Sequence, residues 1–417
     1  MSETVFDSIV IGAGQAGPSL AVNLANRGEK VALIEADRLG GTCINNGCTP
    51  TKTLRKSARV AYLARRASEF GVETGPIKVD FGKAMARMRE RVDTSRAGLD
   101  GWVRGNGVAV FSGHGRIAGR DGDAYHVTVG DQVIRAAKLF LNTGTRPFMP
   151  PIPGLADVPA LDNRSLLELD ALPRHLVIIG GSYIGLEMAQ IFRRLGAEVS
   201  VIEGGPALAS REDPDISAMI REFLEAEGIA VHTGVKIQSV SGAAGALTVA
   251  LEGTEVTGSH LLVATGRLPN TDDLGLDTID LPAGPRGHIE TNHRLETAIP
   301  GIWALGDING RGAFTHTSYH DFEIVAENLA GGTRSADDRV MAYAMFTDPP
   351  LGHVGIHRYE AQKLADEGRN ILIAEHHMKD VSRAKEESEL TGRIRIIVDS
   401  DDGKILGATV LGINGDE

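Results

Sequence analysis

The only two cysteines of this 417-residue chain, Cys43 and Cys48, stand five positions apart in "GGTCINNGCTPTK", Gly40 to Lys52. Two thiols alone do not fill a tetrahedral metal site, and no CxxC pair elsewhere completes one. A structural staple is a poor use for them, because closing so short a loop removes little unfolded-state entropy. The spacing leaves a redox pair or two unrelated buried thiols. On a straight helix, positions i and i+5 have Cα atoms roughly 8 to 9 Å apart, whereas a disulfide needs less than about 7 Å. Cys43 and Cys48 can therefore bond only across a bend, for which Asn45, Asn46 and Gly47 are suited. Downstream, Thr49 can cap a helix with Pro50 at its first position, continued by "TKTLRKSARVAYLARRA". Cys48 then stands at a helix N-terminus, where the dipole and N–H groups favour a thiolate. That asymmetry suits one attacking thiol and one internal charge donor.

The elements that must position this pair are legible on either side of it. "DSIVIGAGQAG" is an apolar strand running into Gly12-x-Gly14-x-x-Gly17 and a helix, and the following strand, "KVALIE", ends in Glu35. The glycines permit a tight turn, the approach of a pyrophosphate and close helix packing; the acid accepts from a ribose hydroxyl. The pattern recurs in "HLVIIGGSYIGLEMAQIFRRLGAEVSVIE", with Gly180, Ser182 and Gly185 at the fingerprint positions and Glu203 closing the second strand. Glycine to acid is 23 positions in both copies. The one departure is Ser182, where backbone approach to a pyrophosphate is less free.

Composition limits the partners. Acidic residues outnumber basic by 55 to 43, for a net charge of −12, which argues against nucleic acid or an anionic membrane surface. No apolar run reaches the roughly 18 residues of a membrane span. "MSETVFDSIVIGAG" enters a strand without a basic, apolar, cleavable leader. These features and the scarcity of cysteine predict a cytoplasmic protein, where a disulfide is more often catalytic than structural.

The joints follow. Proline-rich "RPFMPPIPGLADVPA" reads as a crossover, "ATGRLPN" closes the second nucleotide unit, and "TAIPGIWALGDI" places Asp307 just past a strand. Beyond "GGTRSADDR", a strand "VMAYAMF", a helix "RYEAQKLADEG" and a hairpin "GRIRIIVDSDDGKILGATVLG" predict a third, mixed unit. His316 and His320 lie four apart on a segment that reads as helical, "HTSYHDFEIVAENL", a spacing that can hold a metal, but no third ligand is evident. The start of that helix, following Asp307, is better suited to stabilising negative charge. His376 and His377 read as a surface pair.

Two dinucleotide folds, a CxxxxC beside the first, and the "ATGRxPN" and "GD" motifs together resemble the pyridine nucleotide–disulfide oxidoreductases, the family of glutathione reductase, dihydrolipoamide dehydrogenase and mercuric reductase. The resemblance covers essentially the whole chain. It implies an α/β fold of two Rossmann-like dinucleotide-binding domains plus an α+β interface (dimerisation) domain. The FAD-binding domain would comprise residues 1–150 and 271–335, the NAD(P)H-binding domain 151–270, and the interface domain 336–417.

Carried over residue by residue, the resemblance gives Gly12, Gly14, Gly17 and Glu35 to the adenosine end of FAD and Asp307 to its ribityl chain. Thr42, Gly115, Thr143 and Gly144 join the cofactor contacts, and Gly180, Ser182, Gly185, Glu203 and Gly266 belong to the NADH or NADPH site. Cys48 would be the flavin-side charge-transfer thiol, and Cys43 the interchange thiol that attacks substrate. Lys52 resembles the lysine near flavin N5, Glu187 its ion-pair partner, and Tyr183 the aromatic gate over the nicotinamide pocket.

Within the family, Ser182, "REDPDISAMIREFLEAEGI", "FTDPPLGHVG" and, more loosely, "TPTK" are mercuric-reductase-like. Electrons would pass from NAD(P)H through flavin to a Cys43–Cys48 disulfide and on to a small disulfide or a soft metal ion. Dihydrolipoamide dehydrogenase stays open. So do a thiol-independent diaphorase or transhydrogenase, which the cysteines argue against, and a non-catalytic redox sensor. Family members are homodimers whose interface domain supplies a His and a Glu as acid–base pair to the partner subunit. This sequence stops at "GINGDE" after a hairpin, so the interface domain is expected to be truncated. Glu203, followed by Gly204, Gly205 and Pro206, favours NADH over NADPH; Arg211 reaches the site only if its loop folds back.

Overall fold

The computed structural model describes residues 4–417. The helices that matter below are, in chain order, α1 (Ala16–Asn26), α2 (Gly41–Asn46), α3 (Cys48–Arg65), α4 (Tyr183–Leu195), α5 (Pro214–Ala226), α6 (Thr315–Leu329) and α7 (Arg358–Asp366). The chain forms two compact units. One gathers residues up to 50, 89–147 and 267–339; the other gathers 51–88, 148–266 and 340–417.

The first unit is built on a parallel sheet ordered Ile302–Ala304, Lys138–Leu141, Ser8–Ile11, Val31–Glu35, Ala109–Ser112. The central strands, "SIVI" and "VALIE", are short and almost wholly buried, because a parallel sheet is covered on both faces. Alternate residues serve opposite layers. Ile9 and Ile11 join Ile117, Tyr125 and Val127 of an antiparallel sheet on one side. Val10 and Leu33 join Leu20 and Leu24 of α1 and Ile324 and Val325 of α6 on the other.

The second unit repeats the plan. Its parallel sheet runs Ala230–Thr233, Glu198–Glu203, His175–Ile179, His260–Val263, beside a meander of Ile237–Ala243, Ala246–Leu251 and Thr254–Gly258. Ile178 pairs with Val201 and Leu262 as Val10 pairs with Leu33 and Phe140. In each copy the strand before the glycine turn is therefore flanked by the acid-ended strand and by a returning strand. The same unit holds an antiparallel sheet ordered Ala342–Met345, Leu351–Gly355, Ile405–Leu411, Arg393–Asp399, Ile371–His377.

The strand, helix and hairpin expected after residue 340 are present, with two strands more. Leu351–Gly355 was hidden by its two glycines and the prolines before it. Ile371–His377 is an edge strand, exposed along nearly all its length, and so shows no apolar alternation. His376 and His377 lie on it, exposed. One local expectation is corrected: α3 begins at Cys48, so Thr49 lies within the helix and Pro50 is its third residue. Proline is tolerated there because the first-turn N–H groups have no intrahelical acceptor. Among the described residues, no helix is long and apolar enough to cross a membrane.

Candidate active site

The two glycine turns are near-copies at atomic level. Gly12 has φ +101° and Gly180 φ +116°, a region that disfavours side chains, and a Cβ on either would come within 2.4 Å of the carbonyl ending the returning strand, Asn142 O or Ala264 O. A Cβ on Gly17 or Gly185 would meet the carbonyl of Gly12 or Gly180 at 2.2 Å, so both glycines are needed for helix and strand to close up. The acids are tethered alike. Glu35 accepts from the N–H groups of Ala13 at 2.8 Å and Asp37 at 2.9 Å. Glu203 accepts from Gly181 at 2.7 Å and Gly205 at 2.6 Å. Each carboxylate is thus fixed in orientation and keeps lone pairs for a diol.

The middle positions differ for a reason. A Cβ on Gly14 would meet the side-chain amide of Asn142 at 3.3 Å, a tight contact with a side chain, where Gly12 and Gly17 meet backbone carbonyls at 2.2 Å. Ser182 is the exposed N-cap of α4, with φ −103° and ψ −177°, a conformation open to any residue. Nothing in the backbone demands glycine there.

Cys43 lies in α2 and Cys48 opens α3, both half-buried. The required bend is at Gly47, with φ −140° and ψ −109°. Asn45, just before it, ties α2 to the turn that precedes it, its amide donating to the carbonyls of Arg38, Leu39 and Gly41. Cys48 Sγ stands 3.1 Å from Thr315 Oγ1, the first residue of α6. Thr42 is exposed, 3.4 Å from Arg267. Asp307 follows the strand Ile302–Ala304 in a short turn and accepts from Thr145 Oγ1 at 3.0 Å. Burial pushes its carboxyl above the usual range, against the pull of Thr145 and Arg267. Asp321, fully buried, accepts from Gly306 N and Asn309 Nδ2 and so fixes the Asp307 turn.

Lys52 and Glu187 come together: Nζ lies 3.4 Å from Oε2 and 3.7 Å from the centre of the Phe346 ring. Glu187 is buried, and its other oxygen accepts from Phe346 N at 2.9 Å. Gly115 is packed between Ile11 and Ile34, which leaves only its backbone to touch a ligand. Thr143 and Asn270 exchange two hydrogen bonds beside Gly144, and Gly266 ends the corresponding segment of the second unit.

Sequence reasoning missed Thr315, Phe346 and a buried cluster around Tyr183. The Tyr183 hydroxyl donates to Glu212 Oε1, which also accepts from Tyr343 at 2.9 Å; His357 Nε2 lies 3.0 Å from the Tyr343 oxygen. Burial pushes both phenols and Glu212 up, while the phenol hydrogen bonds pull Glu212 back. Among the described residues, Glu212, His353 and His357 form the one group with donor atoms close enough for a metal. The imidazoles are stacked 3.8 Å apart at 7°, however, and a metal lies near the plane of each imidazole that binds it, so no single ion can satisfy both rings. His316 and His320 form no such group: His320 accepts from Arg339 at 3.0 Å and His316 stacks on Phe314.

A doubled Rossmann-like fold with a CxxxxC pair in its first copy defines a flavoprotein disulfide reductase. The chain belongs to the pyridine nucleotide–disulphide oxidoreductases: that family matches residues 6–321, and its dimerisation domain matches residues 341–417. Members use FAD and NAD(P)H, and the chain is an FAD- and NAD(P)H-dependent oxidoreductase of this class. It is 33% identical over 418 residues to the probable pyridine nucleotide-disulfide oxidoreductase RclA of Escherichia coli, covering 99% of this chain and 90% of the relative. Mercuric reductase of Streptomyces lividans is 34% identical over 426 residues (98% and 87%), and dihydrolipoyl dehydrogenase of Chlamydia muridarum 32% over 409 (98% and 87%). The solved Cu(II) complex of the HOCl-induced E. coli RclA superposes with a TM-score of 0.89 at 32% identity, covering 100% of this chain and 91% of that one.

Proposed function

We propose that this enzyme reduces a small disulfide or a soft metal ion with electrons from a pyridine nucleotide, through Cys43 and Cys48. The observation that carries the reading is the pair of half-buried thiols on either side of the Gly47 bend, one of them opening α3 against Thr315. Gly12, Gly14, Gly17 and Glu35 would hold the adenosine diphosphate of FAD, with Asp307 at its ribityl chain; the side-chain-free glycine turn and the tethered Glu35 suit that ligand. FAD held there would supply the two-electron relay between a nicotinamide hydride and the Cys43–Cys48 disulfide. Cys48 then keeps its negative charge beside Thr315 and the N-terminus of α3, while Cys43 attacks the acceptor. Gly180, Gly185 and Glu203 take the nucleotide, Glu187 steadies Lys52, and Tyr183 covers the nicotinamide end. The dimerisation domain supports a homodimer.

The acceptor divides the relatives: their names specify mercury, lipoyl groups and, for RclA, a copper complex. The deciding experiment is steady-state turnover of the holoenzyme with lipoamide, oxidised glutathione, Hg(II) and Cu(II). Nucleotide oxidation that requires one of these, and that is lost in Cys43→Ser, identifies the acceptor. Equal turnover by wild type and Cys43→Ser with a quinone or dye alone favours a thiol-independent diaphorase.

A further inference from the structure

Tyr183 follows Ser182 directly at the start of α4, so its ring flanks whatever lies along the second nucleotide turn. Its hydroxyl donates to Glu212 Oε1, the oxygen that also accepts from Tyr343. Tyr343 also hydrogen-bonds the Tyr183 hydroxyl, and its oxygen lies 3.0 Å from His357 Nε2. The two phenol rings pack at 5.6 Å and 36°. Glu212 cannot turn to solvent, being only 5% exposed. Its backbone is fixed on both sides. Ala209 N donates to Gly181 O at 2.7 Å and Glu212 N to Ala209 O at 2.8 Å. The neighbouring Asp213 accepts at 2.6 Å from Arg395, which is wholly buried. The acceptor is therefore built in place, and Tyr183 is the member of the network that stands beside the nucleotide turn.

We propose that Glu212 is a latch on Tyr183, holding the phenol across the nicotinamide end of the second nucleotide site until the nucleotide displaces it. This rests on Tyr183 covering that site, as read above. Glu212 is a positioning residue: it acts on the nucleotide only through Tyr183. A hydrogen bond to a charged acceptor is worth roughly a tenfold to hundredfold preference for the state that makes it. The apparent nucleotide affinity is lowered by the fraction of molecules whose latch is closed.

The test is equilibrium titration of the oxidised holoenzyme with NAD⁺ and NADP⁺. Tyr183→Phe keeps the ring and removes the hydroxyl, with its bonds to Glu212 and to Tyr343. It should tighten nucleotide binding about tenfold, read as the Kd of the oxidised holoenzyme. Glu212→Gln, with a weaker acceptor, should tighten it less, and the double variant should match Tyr183→Phe, because both act on one bond. Mere loss of structure would weaken binding instead. Tyr183→Ala separates the two layers of the reading. If it alters nucleotide binding while Tyr183→Phe leaves the Kd unchanged or raises it, Tyr183 covers the site and the latch is refuted. If Tyr183→Ala has no effect either, the placement of Tyr183 falls, and the latch with it.

Discussion

Cys48 Sγ lies 3.1 Å from the hydroxyl of Thr315, and the two residues open α3 and α6 respectively. The sulfur therefore sits where the N-terminal ends of two helices and a hydroxyl donor all favour negative charge. Two-electron reduction should give long-wavelength absorbance. Cys48→Ser should abolish it, Cys43→Ser should show it without reductant, and Thr315→Val should weaken it. A band that survives in Cys48→Ser would reverse the assignment of the thiols.

Glu187 holds two partners with two oxygens, Lys52 at 3.4 Å and Phe346 N at 2.9 Å, from a buried position. Glu187→Ala leaves a buried N–H without its acceptor and an ammonium without its counter-charge, at a cost of about 2 kcal/mol. Glu187→Gln keeps the acceptor for Phe346 and loses only the charge. Both variants should slow flavin reduction, while calorimetry should show a larger fall in Tm for alanine. Equal Tm losses would mean that the backbone bond contributes little.

His353 supplies a pH dependence. Burial, reinforced by the adjacent His357, lowers it from 6.5 to about 4, and it is only 4% exposed. The fold holds it neutral. Between about pH 6.5 and pH 4 the unfolded chain binds a proton that the folded chain does not, so this contribution is complete above pH 6.5 and is lost as the pH falls to 4. Its ceiling is about 3 kcal/mol. Urea midpoints measured between pH 7.5 and pH 4.5 should fall less steeply for His353→Gln than for wild type. Parallel curves would show that His353 takes up its proton alike in both states.

The parts that the sequence discloses are those fixed by backbone geometry. Gly12 and Gly180 must be glycine because a carbonyl lies against each, and the acids ending the paired strands recur at the same interval. Glu187 was paired with Lys52 only through family resemblance; 135 positions separate them, and no local pattern links them. Thr315, Phe346 and the Glu212 cluster were illegible because each acts through a contact between distant segments. The histidines illustrate the limit. His316 and His320 have a metal-like spacing and lie apart in role, whereas His353 and His357, also four apart, stack across a strand end and a helix start.

The choice of nicotinamide turns on Glu203. Its two oxygens are held by Gly181 N at 2.7 Å and Gly205 N at 2.6 Å, so the carboxylate cannot swing away from an adenosine ribose. A 2′-phosphate there would bring two negative groups together, at a cost on the order of a kcal/mol or more at intermediate dielectric. The loop after Glu203 does fold back, through the bond from Ala209 N to Gly181 O at 2.7 Å. What it carries inward is Glu212, onto Tyr183; Arg211 beside it is exposed. NADH should therefore be preferred by kcat/KM. Glu203→Ala should narrow or reverse the preference, chiefly by removing the repulsion, and Arg211→Ala should leave the NADH-to-NADPH ratio within about twofold, as befits an exposed charge screened by solvent. A wild-type preference for NADPH of tenfold or more, abolished by Arg211→Ala, would place that guanidinium on the phosphate and overturn the role given to Glu203.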